Sequence, residues 1–239
     1  MYKNKNILAI IPARGGSKGI KNKNLKKING KSLVNISIQC LQKVSYVDKI
    51  VVSTDSKKIS DESKKYGVYT PFKRPKNLSG DNALTRDVVN HTINFVKDRG
   101  VEFKYACLIY PTAPLIQKKK LIEGYKIIKT NKYDFAFTVC EYQYPIQRSV
   151  KINKKNQVRM IYPKFRYVMS NKLEKTYHDA GQFYFGKMES FLKYKPTFGA
   201  KSCPIILPRY QVQDIDDIDD WRIAENLFKT FNEKKYNNK

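Results

Sequence analysis

Two hydrophobic rhythms alternate along the chain. Residues 7–11 are an unbroken apolar run followed by Pro-Ala-Arg-Gly-Gly, which predicts a buried strand entering a turn. Within 32–44, Leu33, Ile36, Cys40 and Leu41 recur at helical spacing. Residues 49–54 (KIVVST) predict a second buried strand, with Asp55 or Ser56 placed to cap a helix over 57–66. Residues 68–72 are short and β-like. From Thr85 a helix gathers Val88, Val89, Thr92, Ile93 and Val96 on one side. A third strong strand, 105–110 (YACLIY), stops at Pro111 and Pro114; 118–130 is helical, and 134–139 (DFAFTV) is a fourth strand.

Apolar strands alternating with amphipathic helices make βαβ units, so the expected fold is α/β and Rossmann-like, with a mostly parallel sheet and helices on both faces. Ligands of such sheets bind beyond the carboxyl ends of the strands, which directs attention to the loops after Ile11, Thr54 and Tyr110. Over 141–177 the rhythm breaks into aromatics, Lys and Asn with weak alternation, predicting a hairpin insertion. The chain returns through 178–186 and 204–216 to a closing helix over about 220–231, and 234–239 is expected to be a frayed polar tail. No repeat is visible, and 239 residues fit one domain spanning 1–239, with 141–177 as a subregion.

Composition narrows the class. No apolar run approaches the roughly 20 residues needed to cross a bilayer, and 7–13 is too short for a signal core, so a cytoplasmic protein without a membrane partner is expected. Cys40, Cys107, Cys140 and Cys203 lie far apart and make neither a zinc site nor a disulfide framework. The 47 Lys and Arg against 21 Asp and Glu leave a formal charge of +26. The excess is mostly Lys, spread evenly among many Asn and Ile, as the codon bias of an AT-rich genome would produce. It favours anionic substrates and weak, salt-labile contact with polyanions rather than specific nucleic-acid recognition.

Three segments could carry chemistry. In 12–19 (PARGGSKG) the glycines let backbone N–H groups curl around an anion, and Arg14, Lys18 and Lys23 add charge suited to phosphate. The segment is neither a Walker loop nor a dinucleotide fingerprint. In 213–221 (QDIDDIDDW) five carboxylates fall within seven residues. On extended backbone Asp214 and Asp216 share a face with Cα atoms about 6.6 Å apart, and their oxygens can converge on Mg²⁺. Asp219 and Asp220 suit a helix start instead. The third segment, 177–184 (YHDAGQFY), sets His178 and Asp179 before an alternating strand, with Gly181 permitting close backbone approach. Adjacency in a strand is no evidence for a dyad, and the residues alone leave this segment open between site and scaffold. His91 falls on a predicted helix and is read as structural. No Gly-x-Ser-x-Gly elbow or Cys–His constellation points to covalent hydrolysis.

The opening IIPARGGSKGI with Lys23-Asn24 resembles the first signature of the CMP-sugar synthetases, cytidylyltransferases acting on sialic acids and related 2-keto sugars. VVSTD at 51–55, FKRP at 72–75, YPTAP at 110–114 and QDID at 213–216 follow in the family's order and extend the resemblance over nearly the whole chain. YPIQRS at 144–149, YHDAGQFYFG at 177–186 and PRYQVQDID at 208–216 look most like the branch acting on pseudaminic acid. The sialic acid branch usually carries Arg-Pro-Asn-Gly where this chain has His178-Asp179-Ala180-Gly181. A second departure is Lys21-Asn22, where the family commonly has Pro-Arg. The resemblance implies CTP and a nine-carbon 2-keto sugar acid as substrates, Mg²⁺ as cofactor, and a homodimer formed through 141–177. It also implies roles: Arg14, Lys18 and Lys23 on the triphosphate; Gly15, Ser17, Asn24 and Arg74 around the nucleotide; Asp214 and Asp216 on the metal; and Gln147, Arg148, His178, Asp179 and Gln182 in the sugar pocket. Arg14, Lys18, Asp214 and Asp216 would be catalytic. The same chemistry on N-acetylneuraminic or legionaminic acid is the alternative, and a basic nucleic-acid-binding protein the distant one.

Overall fold

The structure, a computed structural model, describes residues 5–237 and the side chains of residues 6–231. Its first strand, β1 (Lys5–Pro12), explains the layering. Successive strand residues point to opposite faces. Ile7, Ala9 and Ile11 therefore enter one apolar cluster, while Leu8 and Ile10 enter another on the far side. A short hairpin, β2 (Lys27–Ile28) and β3 (Lys31–Ser32), leads into α1 (Leu33–Gln42). There follow β4 (Val47–Ser53), α2 (Lys57–Lys64), α3 (Thr85–Lys97), β5 (Phe103–Ile109), α4 (Lys118–Lys129) and β6 (Phe135–Glu141). The remaining elements are β7 (Val150–Ile152), β8 (Val158–Met160), β9 (Tyr177–Lys187), α5 (Met188–Leu192), β10 (Ser202–Leu207) and α6 (Ile218–Asn237).

Six strands form one sheet in the order β10-β6-β9-β5-β1-β4. Pairs β1–β4, β1–β5 and β10–β6 are parallel, whereas β9 runs antiparallel between β5 and β6. Val34, Ile38 and Leu41 of α1 and Leu121, Tyr125 and Ile128 of α4 cover the face of Ile7 and Ile11. Val89, Ile93 and Val96 of α3 cover the face of Leu8 and Ile10. The sheet is thus mostly parallel and clothed on both sides, as the βαβ rhythm requires. Between β6 and β9, β7 and β8 pair with each other as a separate antiparallel hairpin.

Two expectations are corrected. Residues 68–72 form no strand; the segment makes only isolated bridges, Val51 with Tyr69 and Thr54 with Lys73. Pro71 has no N–H to donate and interrupts the ladder between them. The last helix begins at Ile218 and runs to Asn237, past the expected end at 231, so 234–237 are helical rather than a frayed tail. No Gly or Pro follows Pro208 to stop it. Residues 238–239 of that tail lie outside the described residues. Asp217 and Asp220 start α6 reciprocally: Asp217 Oδ1 accepts from the N–H groups of Asp219 and Asp220, and Asp220 Oδ2 from those of Asp216 and Asp217. Ser56 caps α2 by accepting from Ile59 N, leaving Asp55 available elsewhere.

Candidate active site

A cavity of about 500 Å³ opens where the loops after β1 and β5 face the chain leaving β10. Arg14, Ser17, Lys23, Asn24, Arg74, Asp179, Asp214 and Asp216 all line it. Segments at both ends of the sequence therefore meet at the carboxyl ends of the parallel strands.

The first loop is held by its own polar groups. Gly15 N donates to Asp55 Oδ1 at 2.8 Å, and a Cβ on Gly15 would lie 2.9 Å from Ser56 Cβ. Gly15 is thus a docking point of the loop, and Gly16 lines the cavity in its place. Asn24 Nδ2 donates to Arg14 O at 2.9 Å, which ties the loop to the residue at its tip, while Asn24 Oδ1 is buried with no protein donor. Arg14 and Lys18 both reach Asp81, at 2.8 and 2.7 Å. These bonds, that to Lys18 first, hold the Asp81 carboxyl below the usual carboxylate range. Lys18 is otherwise exposed and outside the cavity lining.

Arg74 is buried, with Nε on Ser53 Oγ at 3.1 Å and Nη2 on Ser53 O. Burial, and secondarily Arg14, push its pKa down to about 10, opposed by Asp55, so it remains a cation at neutral pH. Its partners are neutral oxygens, so its charge is neutralised by no bonded carboxylate and projects into the cavity.

The acidic wall is built from unequal members. Asp214, exposed at the cavity rim as a residue, has its carboxyl more closely surrounded by protein: desolvation first, and the charge of Asp216 as well, raise its pKa, while a hydrogen bond with Thr112 opposes the shift. The Asp216 side chain is exposed and pairs with Lys23 Nζ at 3.1 Å. Lys23 also donates to Ile215 O, so this cation holds the acidic segment as well as facing the cavity. Two carboxylates offer hard oxygen ligands, the donor set that suits Mg²⁺ when substrate phosphates and water supply the rest. Among the described residues no group of three or more His, Cys, Asp or Glu assembles a metal cage.

The β9 side is shaped by an irregularity. Its pairing with β6 shifts between Phe137 and Val139, and Gly181 takes φ +59, a left-handed conformation that glycine tolerates. A Cβ there would come 3.6 Å from Asp214 Oδ2, so Gly181 lies against the acidic wall. Asp179 Oδ1 accepts from Gly181 N at 2.9 Å, and its Oδ2 accepts from Tyr184 Oη. Burial, then this bond, raises the Tyr184 pKa strongly, keeping the phenol a donor.

Four expected sugar residues do not line the cavity. Gln182 is buried, donating to Gln211 O at 2.5 Å. Gln147 donates to Glu174 O, and Arg148 to Arg166 O and Val168 O, all within 141–177. Their donor groups go to backbone carbonyls outside the sheet ladders, and Gln147 Oε1 is buried without a protein partner. His178 Nδ1 lies 2.8 Å from Asp179 O, and its ring packs on Tyr142. Conversely, Asp81, Thr85, Tyr110, Thr112 and Tyr184 line the site with no role assigned to them by the sequence reading, although Tyr184 ends the 177–184 segment. Tyr110 and Thr112 sit within YPTAP, whose prolines mark a strand end; Asp81 had no signal beyond being an acid in a Gly-Asp-Asn turn.

Comparison with known proteins agrees with this geometry. The family described as Cytidylyltransferase matches residues 8–213. The pseudaminic acid cytidylyltransferase of Campylobacter jejuni subsp. jejuni is 39% identical over 96% of this chain and 99% of its own length. The N-acylneuraminate cytidylyltransferase of Escherichia coli is 27% identical over 96% of this chain and 54% of its own. Among solved structures, a CMP:2-keto-3-deoxy-manno-octonic acid synthetase complexed with CTP superposes with a TM-score of 0.69, covering 94% of this chain and 99% of that one at 14% identity, a likeness of fold. On its sequence from residue 8 to residue 213 and on its full-length relatives, the chain belongs to the cytidylyltransferase family.

Proposed function

We propose that this cytidylyltransferase moves CMP from CTP to the anomeric hydroxyl of pseudaminic acid, releasing pyrophosphate. The observation that carries the reading is the full-length identity of 39% to the Campylobacter jejuni enzyme of that name, against 27% to the N-acylneuraminate enzyme of Escherichia coli. The cavity supports the chemistry. A basic loop that brings Arg14, Ser17 and Lys23 to the cavity suits a nucleoside triphosphate, and the facing wall of Asp179, Asp214 and Asp216 suits a polyhydroxyl acceptor near a divalent cation.

The sugar hydroxyl forms its bond to the α-phosphorus as the bond to pyrophosphate breaks on the opposite side, and the hydroxyl proton passes to solvent water. Both reactants are anionic, so alignment and charge neutralisation dominate the barrier. Arg14 and Arg74 offset the triphosphate charge from the cavity wall, and Lys18, at its rim beside Arg14, would turn with Arg14 to the departing pyrophosphate. Ser17 and Asn24 seat the nucleotide. Asp214 and Asp216 would hold Mg²⁺, which when bound polarises phosphate oxygens and neutralises their charge. Asp179 is the sugar contact on the cavity wall, His178 lies against its carbonyl, Gln182 ties β9 to Gln211 before the acidic segment, and Gln147 and Arg148 hold the 141–177 insertion together.

Exposed apolar residues on the insertion, among them Tyr144, Ile152, Val158 and Tyr167, support a homodimer formed through 141–177. A cytoplasmic site of action is part of the same reading; among the described residues no helix is long and apolar enough to cross a membrane. The test is pyrophosphate release with CTP, Mg²⁺ and either pseudaminic or N-acetylneuraminic acid. Release with pseudaminic acid is expected; release with N-acetylneuraminic acid alone would overturn the substrate.

A further inference from the structure

A second cavity of about 420 Å³ adjoins the first and shares Thr85, Tyr110, Asp179 and Tyr184 with it. Beyond these shared residues Val89, Leu108, Phe135, Phe191 and Phe198 give it apolar walls, with Arg86, Ser190, Lys195 and Thr197 at intervals between them. Aromatic rings lead from one cavity to the other: Tyr110 lies edge-on to Tyr184, Tyr184 stacks on Phe137, and Phe198 stands edge-on to Phe137, with centroids 5.8, 5.7 and 5.2 Å apart.

Tyr194, on the lining of this chamber, has φ +52. The other non-glycine residues with positive φ among the described residues are all Asn, which tolerates the left-handed region. Tyr194 follows α5 where its N–H bonds Phe191 O and the next N–H, of Lys195, bonds Ser190 O. That is the helix-ending arrangement in which glycine usually sits. The strain is held in place, because Lys195 Nζ and Ser190 Oγ are both tied to Asp134, at 3.0 and 3.1 Å. The ring that the strained backbone presents is half exposed and lies under the Arg86 guanidinium at 5.1 Å. Folding alone would favour glycine at 194, whereas a ligand-facing ring gives a reason for tyrosine.

We propose that this chamber, with Tyr194 as a wall, receives the distal arm of the sugar acid, and that it selects arms ending in acylamino methyl groups or a deoxygenated carbon over polyhydroxyl arms. The proposal rests on the substrate class named above. Aromatic and aliphatic walls pair well with methyl groups, and Ser190 and Lys195 on the lining are already bound to Asp134, so hydroxyls entering the chamber recover few of the hydrogen bonds they give up in water. A diacylamino, terminally deoxygenated sugar acid meets that requirement better than N-acetylneuraminic acid with its glycerol arm. Apolar walls of this kind discriminate by roughly 10- to 200-fold per group, enough to rank the two sugars.

The test is Tyr194→Gly, chosen because glycine relieves the strained φ and the variant is therefore expected to melt no lower than wild type. With pseudaminic acid as substrate, KM for the sugar is expected to rise at least about tenfold while KM for CTP stays within about twofold. Tyr194→Phe, which keeps the ring, is expected to restore the wild-type KM, and Phe198→Ala to raise it without loss of fold. An unchanged sugar KM in Tyr194→Gly, with wild type turning over pseudaminic acid, would overturn the chamber and leave the proposed function standing. Wild type accepting only N-acetylneuraminic acid would overturn the proposed function, and the apolar match with it.

Discussion

Lys23 Nζ stands 3.1 Å from Asp216 Oδ1 and also donates to Ile215 O, joining residues 193 positions apart. The basic loop after β1 and the acidic segment before α6 are thereby one unit. Gly19 tightens it further, since a Cβ at that position would fall 1.9 Å from Asp216 O. The loop is bound to the acidic wall as closely as backbone allows, which fixes the distance between the cations and the carboxylates.

Gly19→Ala should break that unit. The added methyl meets backbone rather than a flexible side-chain end, so the loop and Asp216 must move apart. A displacement of about 1 Å in an aligned transfer can lower turnover by roughly 100-fold. Steady-state pyrophosphate release, with circular dichroism to show that the fold persists, measures it. Turnover near wild type would mean that this contact does not position the carboxylates.

Asp81→Asn concerns the opposite side of the cavity. Asp81 engages Arg14 and Lys18, the two cations assigned to the triphosphate, so an incoming anion must compete with its carboxylate. The pairs are solvent-exposed and individually weak. Removing the charge should tighten CTP binding by roughly two- to fivefold, read by calorimetry at low ionic strength, with the gain shrinking as salt screens the cations. Weaker binding in Asp81→Asn would show instead that Asp81 orients Arg14 and Lys18 for the nucleotide.

The elements that fixed the site were the legible ones. Residues 7–11 and 105–110 are apolar on both faces because the sheet is covered on both, and a run of that kind leaves a strong trace in one sequence. Asp214 and Asp216 stood out because acids are scarce here. The sugar side was obscure because long polar side chains serve ligand and backbone alike. Gln147, Arg148 and Gln182 have the composition of a pocket, yet each is occupied by carbonyls of irregular segments. Asp81 and Tyr194 were invisible for the opposite reason, since their roles arise from an ion pair 67 positions distant and from a backbone angle, neither of which has a local pattern.

Asp216→Asn separates metal chemistry from folding. Its side chain is exposed, and its backbone N–H is held by Asp220, so the amide should leave the acidic segment in place. Turnover should fall by at least about 100-fold, with the Mg²⁺ dependence weakened and the melting temperature within a few degrees of wild type. A variant with wild-type rates and an unchanged Mg²⁺ requirement would mean that Asp216 does not hold a metal.

His91 supplies a pH signature of the fold rather than of catalysis. Its ring lies edge-on to Phe72, with centroids 4.7 Å apart, and Nδ1 is buried without a protein partner. Burial, and then the nearby Arg74 cation, lower its pKa below the ordinary histidine value. The fold thus favours neutral imidazole, and on acidification the unfolded chain takes up the proton first. The resulting stability is fully present above the unfolded value of about 6.5 and is lost as pH falls through the lower folded value. Urea midpoints at pH 7.5 and 5.5 should therefore differ more for wild type than for His91→Phe, which keeps a ring against Phe72 and cannot titrate. The carboxylates that begin to protonate at the acid end are common to both proteins and cancel in the comparison. Equal slopes would mean that His91 ionises in the fold as readily as in water, and that Arg74 does not act on it.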